Sequence, residues 1–280
     1  MTRAFRFGVN MTSAGLRSEW IAKCQRAEEL GYDVILVPDH LGMGAPFPSL
    51  MLAASVTSRP QLDTNVLNAG FFNPVLLARD VLAVNTFTEG RFELGLGAGY
   101  VQAEFEEAGL GWPSAAERVS HLERTVAAIM EKEWEIPLLI GGNGDRVLHL
   151  AAQYAHTVAF VGLKIVPGEP RMVFLQPDEL AERVEFVRAA AGDRSYESNL
   201  LIQGVVLTDD RPAKAAELRE QYSMDLTVEQ ILELPTLLLG QPEEIAEQLR
   251  AQRDRFGFTY YCVIETSMEE FAPVIPLLVE

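Results

Sequence analysis

Arg91-Phe-Glu-Leu-Gly-Leu-Gly-Ala-Gly-Tyr100 decides the fold when it is read together with Val34-Ile-Leu-Val-Pro-Asp-His40 upstream. Each begins as an apolar run of strand length, and each stops abruptly, one in glycines and the other in Asp39-His40. In a barrel of parallel strands the C-terminal strand ends form the catalytic mouth. Two such runs side by side would bring a carboxylate, an imidazole and a length of bare backbone to one rim.

Outward from these two runs the chain alternates strand and helix signals. Strands are expected over residues 5–10, 33–38, 65–69, 92–96, 137–140, 157–161, 200–207 and 260–264. Helices are expected over 20–30, 49–58, 74–86, 116–131, 145–154, 177–191, 212–221 and 242–255, with a further helical piece over 228–234 and a short closing helix. Ser18 is the candidate N-cap of the first helix and Gly31 its stop; Pro74 opens the third. Strict alternation argues for a parallel sheet with its helices outside. Eight such units over 280 residues fit a closed (β/α)8 TIM barrel, of class α/β, better than a doubly wound sheet. No Gly/Ser/Pro-rich linker divides the chain, so residues 1–280 are expected to form a single domain.

The formal charge of −17 argues against a nucleic-acid partner, because phosphate backbones need a basic face. It also means that an anionic cofactor needs a local pocket of amides. No apolar run reaches the roughly 18 residues of a membrane span, and the start of the chain has no signal-peptide core, so a cytoplasmic protein is expected. Cys24 and Cys262 read as small buried apolar residues in a reducing compartment. No spacing among Cys, His, Asp and Glu suggests a metal site.

Asp39-His40 directly follows a strand. An imidazole there moves a proton near neutral pH, and the carboxylate either fixes its tautomer or accepts from a cofactor amide; a loop-capping Asp with a packed His is the competing assignment. Gly95 to Gly99 has the spacing G-x-G-x-G, with no helix opening at its last glycine, so it is weak as a dinucleotide fingerprint. It reads as a strand end kept bare for a planar ring, or as a turn that needs glycine only for sterics. Gly141-Gly-Asn-Gly144 opens a helix and suits a phosphate, with Arg146 adding charge; a tight strand-to-helix turn is the alternative. Val161-Gly162 ends the neighbouring strand, with Lys164 and Arg171 in the loop beyond. Asn65 to Asn68, before Ala69-Gly70, suggests a bulge at the third strand's end. Trp112 reads as a packed loop aromatic, His121, His149 and His156 as structural or solvated, and Glu104, Glu106 and Glu107 as a solvated acidic face.

Together with Leu138-Leu-Ile-Gly-Gly142 and Leu239-Gly-Gln-Pro-Glu-Glu-Ile-Ala-Glu-Gln-Leu249, these motifs resemble the bacterial luciferase-like superfamily, and within it the deazaflavin-dependent oxidoreductases typical of actinobacteria. The resemblance covers nearly the whole chain. It implies a barrel that binds coenzyme F420, or alternatively FMN, at its C-terminal mouth. It implies hydride transfer to or from a small organic substrate. An FMN-dependent monooxygenase using oxygen is the alternative, and a flavin-binding barrel without catalysis a second one. Carried over by position, Asp39 and His40 contact the ring and serve proton transfer. Asn65-Val66 matches a bulge that often contains a non-prolyl cis peptide, with Asn68 at the same strand end. Gly97, Ala98 and Gly99 match the wall along the cofactor, and Gly141, Gly142, Asn143, Val161 and Gly162 the phosphate pocket. A homodimer through outer helices near Leu50 to Ala54 is expected on the same ground.

Two departures stand out. In the sugar-phosphate dehydrogenase branch a glutamate follows the Gly-x-Gly of the fourth strand; here Tyr100 stands there, which removes the expected acid partner of the histidine. Relatives also carry a long excursion between the fourth helix and fifth strand, where this chain has only Glu131-Lys-Glu-Trp-Glu-Ile-Pro137.

Overall fold

The computed structural model describes residues 4–13, 15–132, 134–166 and 172–279. Eight parallel strands form a closed ring: Arg6–Asn10, Val34–Val37, Gln61–Thr64, Phe92–Gly97, Leu138–Gly141, Thr157–Phe160, Glu197–Ile202 and Tyr260–Ile264. The first strand pairs with the last in register from Arg6↔Tyr260 to Asn10↔Ile264, and the third pairs with the fourth at Leu62↔Phe92, so no edge remains open. Helices lie outside the ring, and no helix among the described residues is long and apolar enough to cross a membrane.

Alternation along each strand divides the side chains between two cores. Phe7 and Val9 face out and join Trp20, Cys24, Leu77, Val81, Leu122 and Phe271 in the large layer between strands and helices. Val34, Leu36, Leu139, Ala159, Tyr260 and Cys262 point inward and form a small core inside the ring. Both cysteines are fully buried, as expected, and burial pushes each thiol up to about 12. The N-terminal end of the barrel interior is charged. Arg6 lies 2.5 Å from Glu93 and 3.2 Å from Glu197, over the ring of Tyr260. Asp63 is fully buried beside them; burial, and then the charge of Glu93, hold its carboxyl well above the usual carboxylate range.

The third strand departs from expectation. It starts at Gln61 rather than 65, breaks after Thr64, and resumes as Leu67–Asn68, still pairing with the fourth strand. The break is a bulge whose Asn65–Val66 peptide bond is cis. Its opening residues alternate Gln-Leu-Asp-Thr, and an inward Asp63 conceals a strand from a hydrophobicity pattern. The seventh expected strand is also two pieces. Glu197–Ile202 stays in the ring, whereas Gly204–Val206 leaves it to pair in parallel with Leu237–Leu239. After the sixth strand an unexpected antiparallel hairpin joins Leu163–Ile165 to Met172–Phe174.

Helix limits lie near their expected places. The first helix, Arg17–Glu29, begins ahead of Ser18: its N-cap is Leu16, whose amide donates to Glu19. Arg171, named above beside the sixth strand, lies outside the described residues.

Candidate active site at the barrel mouth

The second strand delivers Asp39-His40 to the rim, and each side chain takes a different partner. Asp39 Oδ2 accepts from the backbone amide of Asn68 at 3.0 Å, which ties the second strand's end to the third's. Burial pushes the Asp39 carboxyl up to about 6, opposed by that hydrogen bond and by the nearby imidazole. His40 Nδ1 lies 2.8 Å from Glu104 Oε1. Glu104 belongs to a short helix, Gln102–Glu107, that follows the glycine-rich strand. The ring of Tyr100 meets the imidazole edge-on, with centroids 5.8 Å apart.

Glu104 is the residue that the sequence reading missed. Tyr100 does stand where an acid was expected, but the acid arrives four residues later, inside the short helix that follows. The available signal was Phe105. It is buried against Phe71 and Trp112, with centroids 5.3 and 5.2 Å away, and so turns this short helix toward the barrel. Trp112 is a packed loop aromatic, as expected, with Arg118 stacked 3.8 Å over it. His121 and His156 bond to the backbone at Phe72 and Leu138, and His149 to Gln153 on its own helix.

The glycines of the fourth strand have a cause in the third. Gly95, Gly97 and Gly99 step by two, as do Thr64, Val66 and Asn68 opposite. A Cβ on Gly95 would overlap the Thr64 carbonyl, one on Gly97 would lie 2.7 Å from Val66 Cγ2, and one on Gly99 would overlap the Asn68 side chain. Gly99 also has φ +74, a conformation that favours glycine. Thr64 Oγ1 bridges the bulge, donating to the Gly95 carbonyl at 3.0 Å and accepting from its amide at 2.9 Å. The bareness of this strand therefore admits the bulge first. Val66 rises between Gly97 and Gly141 as the surface left at the top of the barrel, while Asn65 Nδ2 lies 3.9 Å from Cys262 Sγ. Asn68 is buried, its Oδ1 accepting from Gly70 at 3.1 Å.

Farther round the rim, Gly141, Gly142 and Asn143 lead into helix Asp145–Tyr154, whose N-cap is Gly144 with no side-chain cap. Its first-turn amides are thus left for an anion. Asn143 Nδ2 donates to the Leu163 carbonyl at 2.6 Å, and its buried Oδ1 has no partner among the described residues. Gly162 packs on Thr236, and Val161 beside it is partly exposed. Arg146 does not add charge here: it pairs with Glu123 at 2.7 Å on the preceding long helix. Lys164 pairs with Glu179. Structurally, then, Asp39, His40, Asn68, Gly99 and Glu104 form one contiguous cluster, Val66 lies between Gly97 and Gly141, and Asn143 and Gly162 flank the start of the hairpin.

The rim thus carries a carboxylate-held imidazole and, farther round, an uncapped helix terminus, and known proteins share parts of this chain. Residues 5–123 match the family model described as luciferase-like monooxygenase. It is 35% identical over 115 residues to an F420-dependent glucose-6-phosphate dehydrogenase of Kribbella flavida, covering 38% of this chain and 34% of that one. It is 26% identical over 147 residues to a 5,10-methylenetetrahydromethanopterin reductase of Archaeoglobus fulgidus, covering 45% and 44%. The matches thus span under half the length of these curated relatives. Among solved structures, an F420-dependent secondary alcohol dehydrogenase superposes with a TM-score of 0.78 over 99% of this chain and 100% of that one, at 16% identity, which shows the shared barrel.

Proposed function

We propose that this protein binds coenzyme F420 at the barrel mouth and moves a hydride between the deazaflavin ring and a small organic substrate. The observation that carries this reading is the His40–Glu104 pair, an imidazole held by a carboxylate on the rim of a chain whose relatives include an F420-dependent glucose-6-phosphate dehydrogenase. The residues present suit such a group. The uncapped amides after Gly141-Gly142-Asn143 favour a phosphate without a net positive pocket, and Asn143 Oδ1 is a buried acceptor for a hydroxyl of a sugar-alcohol chain. Val66, flanked by Gly97 and Gly141, offers a flat apolar face for a ring.

When bound, the cofactor supplies the hydride chemistry. In the direction of substrate oxidation, His40 takes the proton of the substrate hydroxyl as the hydride leaves the adjacent carbon; in reverse it returns that proton. Asp39 holds the rim through Asn68 and stays beside the ring position. We further read the protein as cytoplasmic and homodimeric. The expected apolar face near Leu50 is turned inward, with Leu50 and Ala53 buried, and the exposed apolar stripe is instead on helix Pro74–Phe87, at Val75, Leu76, Leu82 and Phe87. Sedimentation of the purified protein as a monomer at micromolar concentration counts against the dimer.

The competing reading is an FMN-dependent monooxygenase, which the family's description favours. Equilibrium titrations with F420 and with FMN, followed by turnover with each reduced cofactor with and without oxygen, separate the two. Binding of F420 supports the proposal. Oxygen-dependent turnover with reduced FMN and no F420 binding overturns it, and binding of either cofactor without any turnover across an alcohol and carbonyl panel leaves a binding protein.

A further inference from the structure

We propose that Glu104 is the positioning residue of the site: it fixes the His40 imidazole with Nδ1 as the donor toward Glu104 and Nε2 as the nitrogen that exchanges protons at the mouth. The consequence for catalysis rests on the function proposed above; the assignment of the tautomer does not.

Four observations carry it. The contact is short, 2.8 Å from Nδ1 to Oε1, and both side chains are mostly buried, at 26% and 14% exposure. An ionised carboxylate only accepts, so the nitrogen facing it carries the hydrogen in the neutral ring. Asp39, the carboxylate adjacent in sequence, is engaged by the Asn68 amide and is not the imidazole's partner. The Tyr100 ring, edge-on at 82° between planes, stands against the imidazole and limits its rotation. Among the described residues, the titratable groups facing His40 are Asp39 from its own strand end, and Tyr100 and Glu104 from the segment after the fourth strand. Burial and the charge of Glu104 both raise the Tyr100 phenol, so it stays neutral beside the pair.

The carboxylate is itself held from below. Phe105 is fully buried, packed on Phe71 and Trp112, and Gly70 leaves room for its ring: a Cβ there would lie 2.6 Å from it. The 3₁₀ turn Ala69–Phe71 that begins at Asn68 thus supports the helix that carries Glu104. One connected set of contacts runs from Asp39 through Asn68, Gly70, Phe105 and Glu104 back to His40.

The test is made first on the cofactor-free protein, with ring-¹⁵N-labelled histidine, at a pH where the imidazole is neutral. The His40 signals are assigned by their loss in His40→Asn. In the wild type His40 is expected as the Nδ1–H tautomer, whereas His156, whose Nδ1 accepts from the Leu138 amide at 3.0 Å, serves as an internal Nε2–H reference. In Glu104→Ala, His40 is expected to move to predominantly Nε2–H while the His156 signals stay in place. Glu104→Gln keeps the side-chain volume and is expected to lie between the two, which guards against a folding effect of the alanine. Turnover of F420-loaded Glu104→Ala should fall roughly 10- to 100-fold in kcat with KM and F420 affinity near wild type. A wild-type His40 already in the Nε2–H form, or one unchanged in Glu104→Ala, overturns the inference. Failure of the wild type to bind F420 overturns the function proposed above and leaves the tautomer result standing.

Discussion

At the floor of the barrel Arg6 lies between Glu93 and Glu197, while at the mouth Glu104 holds the imidazole of His40, with Asp39 next to it in sequence. Both places set carboxylates around one basic group in a half-buried setting. The difference lies in that group. A guanidinium keeps its charge at every working pH and holds two carboxylates in a fixed fork. An imidazole gains or loses its charge near neutrality, so a carboxylate beside it controls a proton. The floor is therefore built to stay as it is, and the mouth to change.

Substitutions at the two ends sharpen this contrast. The largest expected effect is at the mouth: His40→Ala should lower kcat about 10²- to 10⁴-fold in F420-dependent turnover while shifting unfolding free energy by less than about 1 kcal/mol. Wild-type turnover in that variant would remove the imidazole from the proton path. At the floor the order reverses. Arg6→Leu takes the cation away from the buried Glu93 carboxylate and should cost about 3–5 kcal/mol in urea unfolding, with turnover per folded molecule little altered. An unaffected denaturation midpoint would mean that the floor network does not hold the fold.

Between the two ends, Gly97→Ala drives a methyl against Val66 and should destabilise by roughly 1–3 kcal/mol. Adding Val66→Ala in the same chain should recover part of that loss, a coupling that a double-mutant cycle measures directly. The effect at Asp39 is read only through pH. Its folded pKa, pushed up to about 6, lies above the roughly 3.9 of an unfolded aspartate. The native state then binds more protons across that window, and wild-type stability falls as pH rises from about 4 to about 6. Asp39→Asn lacks the titration, so its melting temperature should gain on the wild type through the same range and hold level above it. Parallel melting curves from pH 4 to pH 7 would falsify the raised value.

Much of the barrel was legible because its rules are local. Apolar runs marked seven of the eight ring strands approximately, the third being placed beyond Gln61–Thr64, and Pro and Gly marked most helix ends. Asp39-His40 was legible because a polar pair after a buried strand has few other places to be. What was hidden depended on residues far apart in the chain. The start of the third strand was obscured because Asp63 faces a charged floor that is assembled from four other strands. The glycines at 95, 97 and 99 looked like a bare wall, yet the space they leave is filled by the bulge opposite. Glu104 looked solvated because its neighbours Glu106 and Glu107 are. Only the burial of Phe105 turns that one carboxylate inward.

The closure of the ring has a further consequence, in the order in which contacts become available. The barrel is sealed by strands at opposite ends of the sequence, Arg6–Asn10 and Tyr260–Ile264, so the entropy of the longest loop falls on the last pairing. Asp39, His40, Asn68, Gly99, Glu104 and Phe105 all emerge long before it. The acid–base set is wired within one contiguous arc of the barrel, and the seam that completes the ring adds Glu265, which receives Thr12, Ser13 and Lys23. A chain made from its amino terminus can thus hold its proton-handling groups together while the barrel around them is still an open sheet.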